Sequence, residues 1–163
     1  MTTTDPYRVC FVCTGNICRS PMAEVVLRAR LGEEGLAERV VVDSAGTGDW
    51  HAGEPADPRA TAALRTAGYE AGRDDHIARW FDAEWFGRLD LVVALDRGHL
   101  RALRRLAPTP ADAAKVRLLL AGDGEVPDPY YGEDRGFADC LEIIEGGMAG
   151  LLDVVRAGVL ERT

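Results

Sequence analysis

The stretch Cys13-Thr14-Gly15-Asn16-Ile17-Cys18-Arg19-Ser20 holds the residues best suited to chemistry: a thiol, five residues, then a guanidinium and a hydroxyl. Five residues can curl so that successive backbone N–H groups point inward at one anion. Gly15 and Asn16 tolerate the left-handed backbone that such a curl needs. Arg19 closes the ring with a planar fork that suits two phosphate oxygens. Cys13 then sits at the bottom, beneath the phosphorus. The donors around it favour the thiolate, which is the form that attacks. Ser20 can donate a further hydrogen bond to that sulfur.

Such a loop needs elements to hold it. Residues 8–13 are a short apolar, β-rich run that ends at Cys13, and residues 14–19 read as a loop. A helix is expected from Ser20 to about Gly35, with Ser20 as its cap and Pro21 in its first turn. Residues 40–45 read as a second strand. Residues 56–67 read as a helix, with Asp57-Pro58 at its start and Gly68 past its end. Residues 89–95 are a third strand, and Asp96 opens an arginine- and leucine-rich helix to about Ala107. Residues 115–120 are a fourth strand, and residues 122–132 form a loop. Residues 137–160 have apolar positions near helical spacing, although Gly146, Gly147 and Gly150 weaken the middle of that helix. Apolar strands alternating with helices predict an α/β fold, a three-layer sandwich in which helices flank a four-stranded parallel sheet. The anion-binding loop follows the first strand. In open sheets of this kind ligands bind outside the carboxyl ends of the strands, where Cys13 lies, and a helix N-terminus follows it.

The 163 residues suit one domain, expected to span 1–163. The net charge of −8 argues against a nucleic-acid binder but leaves room for a small basic pocket. No run approaches the roughly 18 apolar residues of a membrane span. The first residues lack a basic, apolar leader, so the expected location is the cytoplasm, with no membrane partner. Cys10, Cys13 and Cys18 fall within nine residues, which is no disulfide framework. Their spacing superficially suggests a metal site. Cys10, however, sits mid-strand, and alternation sends it to the face opposite Phe11, so it reads as core. Cys140, on the last helix, also reads as core, and no metal or cofactor is expected.

The sequence resembles the low-molecular-weight protein tyrosine phosphatases over nearly its whole length. Residues 12–24 resemble the family signature, Asp43-Ser44-Ala45-Gly46-Thr47 its second-strand segment, and Ala94-Leu95-Asp96 its third-strand exit. Asp128-Pro129-Tyr130-Tyr131 resembles its acid loop. The resemblance implies hydrolysis of phosphotyrosine in two displacements at phosphorus. Cys13 would be the nucleophile, Arg19 the clamp and Asp128 the general acid, then base. Thr14, Gly15, Asn16, Ile17, Cys18 and Ser20 would surround the phosphate. Asn16 and Ser44 would brace the loop, together with His76 as a buried histidine of the same network. Asp96 would be a supporting acid at the sheet edge. Trp50, Tyr130 and Tyr131 would wall a deep slot too long for phosphoserine. Thr14 stands where some members carry a bulkier apolar residue. Cys18 would form a reversible disulfide with an oxidised Cys13, or else simply fill the loop. The implied partners are tyrosine-phosphorylated proteins, with phosphate or other oxyanions as inhibitors.

Three rival functions share this scaffold. A thioredoxin-linked arsenate reductase needs two further downstream cysteines, and only Cys140 follows Cys18. A protein-arginine phosphatase is expected to carry threonine where this chain has Ile17. A non-catalytic phosphotyrosine-binding module usually loses the nucleophile, the arginine or the acid, and all three are present. Asp128 before Pro129 also has an ordinary reading as a turn residue. Nucleotide binding is disfavoured because no glycine-rich nucleotide motif follows the first strand.

Overall fold

The computed structural model of the chain describes residues 5–72 and 75–162. Residues 1–4, part of the stretch read as lacking a leader, lie outside the described residues. The strands are β1 (Tyr7–Cys13), β2 (Val40–Gly46), β3 (Leu91–Ala94) and β4 (Val116–Leu118). They form one parallel sheet in the order β2-β1-β3-β4. The helices are α1 (Arg19–Glu33), α2 (Pro58–Thr66), α3 (Arg97–Leu106), α4 (Pro110–Ala113) and α5 (Asp134–Leu160). A 3₁₀ turn, Ala83–Gly87, precedes β3. Neither this turn nor α4 is among the expected elements. Both are single turns, too short for a hydrophobic period to show.

Alternation along β1 divides the interior in two. Val9, Phe11 and Cys13 join the core packed beneath α1, α2 and α5. Cys10 and Val12 face the other way, toward Phe81, Phe86 and Leu103. Cys10 is therefore core, on the face opposite Phe11, as the alternation predicts. Burial in that apolar layer pushes its thiol well above the ordinary value. The three N-terminal cysteines do not converge as metal ligands would. Among the described residues no cluster of three or more histidine, cysteine or carboxylate groups is arranged to hold an ion, and no helix is long and apolar enough to cross a membrane.

The chain leaves β1 toward β2 on one side and returns to β3 on the other. The crevice at this reversal, above the carboxyl ends of β1 and β3, is where open α/β sheets bind ligands. Cys13 ends β1 and Asp96 follows β3, so the sheet order itself brings them together. Two helix expectations need correction. Helix α1 begins at Arg19, with Cys18 at its cap position and no side-chain cap bond, because the Ser20 hydroxyl is engaged elsewhere. Helix α5 runs unbroken through its glycines and starts earlier than expected. A Cβ at Gly147 would come within 2.8 Å of Leu120, and one at Gly158 within 2.2 Å of Tyr7. These glycines let the helix lie close on its neighbours, a gain that offsets their cost of about 1 kcal/mol each in helix propensity.

Candidate active site

The loop from Cys13 to Arg19 is held from outside by its carbonyl groups. Thr47 N–H donates to the Cys13 oxygen (2.8 Å) and Gly48 N–H to that of Thr14 (3.2 Å). His76 Nε2 donates to the Asn16 oxygen (2.6 Å), and Asp57 N–H to that of Ile17 (2.8 Å). Met22 N–H takes the Cys18 oxygen at 3.2 Å. There are no cis peptide bonds among the described residues, and in a trans peptide the N–H points opposite to the C=O. The amides of Thr14, Gly15, Ile17, Cys18 and Arg19 therefore turn inward, which is the concave set of donors an oxyanion needs.

Asn16 is the left-handed residue, at φ 59°. Its side chain makes the conformation stable. Oδ1 accepts from Arg79 N–H (2.9 Å), and Nδ2 donates to Ser20 Oγ (2.8 Å) and Ser44 Oγ (2.9 Å). Ser44 Oγ in turn donates a hydrogen bond to the buried carboxylate of Glu24, 2.7 Å away. Gly15 is not left-handed, contrary to the expectation. It is small because the ring of His51 lies over it, 2.7 Å from where a Cβ would stand. His76 bonds the Asn16 carbonyl and is half-buried rather than buried.

Cys13 Sγ lies 3.0 Å from Ser20 Oγ. That oxygen accepts from Asn16, and its one hydrogen has two acceptors in reach, the sulfur at 3.0 Å and the Ala45 carbonyl at 3.4 Å. Turned to the sulfur, it has the polarity that suits a thiolate. Arg19 is buried and doubly anchored, with Nη1 donating to Asp96 Oδ2 and to the Val126 carbonyl, both at 2.9 Å. Burial opposes ionisation of Asp96. The His99 amide and the Arg19 guanidinium outweigh it and hold the carboxyl below its ordinary value.

Asp128 comes to the same place from a distant loop, its Oδ2 3.6 Å from Arg19 Nη2. Its Oδ1 accepts from Tyr130 N–H at 3.0 Å, so it makes the turn of its ordinary reading and faces the pocket as well. A pocket of about 400 Å³ is lined by Cys13, Thr14, Gly15, Ile17, Cys18, Arg19, Trp50, His51, Asp128, Tyr130 and Tyr131. The three expected aromatic residues do line it. Trp50 and Tyr131 are 68% and 91% exposed, however, so they form an open rim rather than a closed slot. Tyr130 is half-buried and stands edge-on to Tyr131 and tilted against His51. Ile17 lines the pocket while the rest of its side chain joins the core.

Three residues here escape the motif reading. Glu24 lies inside the signature stretch but has its role only through Ser44. His99, buried on α3, meets Thr14 Oγ1 at 2.8 Å. Arg59 is fixed to Asp57 through two contacts at 3.1 and 3.0 Å, and donates to the carbonyls of Tyr130 (2.9 Å) and Gly132 (3.2 Å). Asp57 also caps α2, as its sequence predicts, and its amide grips Ile17. One short segment thus ties the acid loop to the anion loop. No spacing rule signals this, because the partners of Arg59 are backbone atoms far along the chain.

The approach of β2 to this loop supplies a test. A Cβ on Gly46 would stand 2.7 Å from the Thr14 oxygen and 3.2 Å from the Gly15 carbonyl carbon. Backbone cannot yield as a flexible side chain does. Gly46→Ala is expected to lower stability by about 1–3 kcal/mol, as overpacking does, and to weaken inorganic phosphate binding. Thermal melts with and without phosphate check both; an unchanged melt and affinity would mean that the loop is not tightly seated on β2.

A family model described as low molecular weight phosphotyrosine protein phosphatase matches residues 8–160. The chain is 62% identical over 160 residues to the low molecular weight protein-tyrosine-phosphatase of Streptomyces coelicolor, covering 94% of this chain and 96% of that protein. It is 46% identical over 159 residues to low molecular weight protein-tyrosine phosphatase A of Mycobacterium tuberculosis, covering 93% of each. Its structure is similar to that of a protein tyrosine phosphatase from Entamoeba histolytica solved with Hepes in the active site. The TM-score is 0.85 at 32% identity, covering 93% of this chain and 98% of that one.

Proposed function

Because the chain belongs to the low molecular weight phosphotyrosine protein phosphatase family, we propose that Cys13, Arg19 and Asp128 carry out its hydrolysis of phosphotyrosine. The Cys13 thiolate attacks phosphorus, and the bond from phosphorus to the phenolic oxygen breaks. Asp128 gives its proton to that oxygen as it leaves. Water then attacks the cysteinyl-phosphate, Asp128 takes a proton from it, and the sulfur leaves as thiolate with release of phosphate. Arg19 and the inward amides hold the three equatorial oxygens, whose charge is what must be stabilised in the transition state. The observation that carries this reading is the five outward carbonyls, each with its own donor, which commit the opposite amides to an anion directly above Cys13.

Trp50, Tyr130 and Tyr131 at the rim favour the ring of a tyrosine-phosphorylated protein, and inorganic phosphate or similar oxyanions would compete for the loop. We infer one functional domain over 1–163, supported by the single sheet and a family match over most of that span. We also infer a cytoplasmic setting, since all four cysteines are free and the nucleophile must stay reduced. The arsenate-reductase reading loses ground at Cys140, which is buried and whose pKa burial pushes up to about 12, a poor member of a thiol relay.

Ile17 gives the test against the protein-arginine reading. Its apolar chain packs against a phenyl ring and offers no hydrogen bond to a guanidinium. Wild type should prefer phosphotyrosine over phosphoarginine peptides in kcat/KM. Ile17→Thr should narrow that ratio, mainly through loss on the tyrosine substrate, by no more than the ~1–3 kcal/mol that one apolar group discriminates. A wild type that favours phosphoarginine overturns the tyrosine assignment.

A further inference from the structure

Four side chains close a circuit behind the anion loop. Asp96 Oδ2 holds Arg19 Nη1 at 2.9 Å, and Arg19 Nη2 lies 3.3 Å from Thr14 Oγ1. Thr14 Oγ1 meets His99 Nε2 at 2.8 Å. His99 Nδ1 returns to Asp96, 3.2 Å from Oδ1, close enough for attraction though off the line of a good hydrogen bond. Asp96 also fixes the ring from its other end, because Oδ1 accepts the His99 backbone N–H at 2.8 Å.

The directions of these bonds follow from the chemistry of each atom. Arg19 can only donate, so both Thr14 Oγ1 and His99 Nε2, which lies 3.5 Å from Nη2, accept from it, and the Thr14 hydrogen turns to Nε2. His99 Nε2 is then an acceptor, and the ring proton sits on Nδ1, facing the Asp96 carboxylate. The opposite tautomer would set a lone pair against that carboxylate and a ring N–H against the Arg19 Nη2 donor 3.5 Å away. Burial, and after it the Arg19 charge, push the pKa of His99 down to about 4, so the ring is neutral at neutral pH. The other charged groups that act on this ring are Asp96, Asp128 and Glu125.

We propose that His99 is a positioning residue: by accepting hydrogen bonds from the Thr14 hydroxyl and from Arg19 Nη2 it locks the plane in which Arg19 meets the phosphoryl oxygens. Thr14 is thereby more than a polar replacement at the rim. Its hydroxyl is turned away from substrate and serves Arg19. The inference rests on the assignment of Arg19 as the phosphate clamp. A clamp set at the wrong tilt still attracts an anion but fits three equatorial oxygens badly. The loss should therefore fall on the transition state more than on bound phosphate.

The test compares wild type, His99→Leu, Thr14→Val, the double variant and His99→Gln, whose amide oxygen can stand near the place of Nε2. Each single loss variant should lower kcat about tenfold and weaken vanadate, a transition-state mimic, about tenfold, with less than about a threefold loss for inorganic phosphate. The double variant should be no worse than the worse single one, since both break the same link. His99→Gln should recover most of the loss. Single variants within about twofold of wild type in kcat, or effects that multiply in the double variant, overturn the proposal. If His99→Leu does not fold, Thr14→Val, at a half-exposed site, together with His99→Gln carries the test, and a Thr14→Val kcat within about twofold of wild type still overturns the proposal. Cys13→Ser run alongside separates the two levels. Turnover that survives it defeats the active-site assignment, whereas turnover lost there with Thr14→Val unaffected defeats only the role of His99.

Discussion

Cys13→Ser is expected to abolish turnover of p-nitrophenyl phosphate while inorganic phosphate still binds with nearly wild-type affinity. The two halves have separate structural causes. Binding belongs to the loop amides and Arg19. The amides are aimed by Thr47, Gly48, Asp57, His76 and Met22, and Arg19 is anchored by Asp96 and Val126, so none of this depends on the Cys13 side chain. Turnover needs a thiolate. A serine hydroxyl would occupy nearly the same space and keep its contact with Ser20, but it remains protonated at neutral pH and attacks poorly. Loss of the nucleophile should cost at least ~10⁴ in kcat, about 5.4 kcal/mol of barrier at 1.36 kcal/mol per decade. Initial rates give the first number and calorimetric titration with phosphate the second. Hydrolysis near the wild-type rate would remove Cys13 from the nucleophile role. Loss of phosphate binding along with turnover would mean instead that the thiol shapes the loop.

Much of this site is legible in the sequence because its core is contiguous. From Cys13 to Ser20 the chain itself carries nucleophile, left-handed turn, clamp and sulfur donor, so residue type and spacing suffice to find them, although distant segments hold them in place. The sheet is equally readable, since a central strand buried on both faces is an unbroken apolar run. What escapes is whatever depends on two distant segments meeting. His99 lies on a helix that reads as arginine- and leucine-rich, and only the return of the chain from β2 across to β3 sets that helix beside Thr14. Arg59 sits at what reads only as a helix start, until the acid loop folds over it and offers its carbonyls.

At two places the fold departs from local preference for a sharper physical cause. Ser20 has the right type and place for a helix cap. Its hydroxyl is used twice over by Cys13 and Asn16, and chemistry at the site overrides the local preference. The glycines of α5 lower helix propensity, yet Gly147 and Gly158 allow close packing against Leu120 and Tyr7 that no propensity scale contains. In both cases the residue serves a tertiary contact, and a local rule cannot see it.

Asp128→Asn should slow hydrolysis of phosphotyrosine by about 10²–10⁴-fold, the usual worth of a positioned acid. The substitution isolates the proton. An asparagine oxygen can still accept from Tyr130 N–H and keep the turn, while Arg59 holds the loop by the carbonyls of Tyr130 and Gly132. The loop should therefore stay where it is, with its amide near Arg19, and lose only the ability to give up and take a proton. A phenolate with a pKa near 10 leaves badly unless it is protonated. A nitrophenolate is stable as an anion and needs little help. The deficit should therefore be large for phosphotyrosine and shrink steadily across aryl phosphates as the leaving-group pKa falls. The same carboxylate activates water in the second step, so breakdown of the cysteinyl-phosphate should become slower too. With an activated substrate the variant should release a burst of phenol, equal to the enzyme present, before a slow steady state. Stopped-flow absorbance with a series of substituted phenyl phosphates measures both effects. Equal losses across leaving groups of very different pKa, with no burst, would take Asp128 out of proton transfer and leave it only the turn.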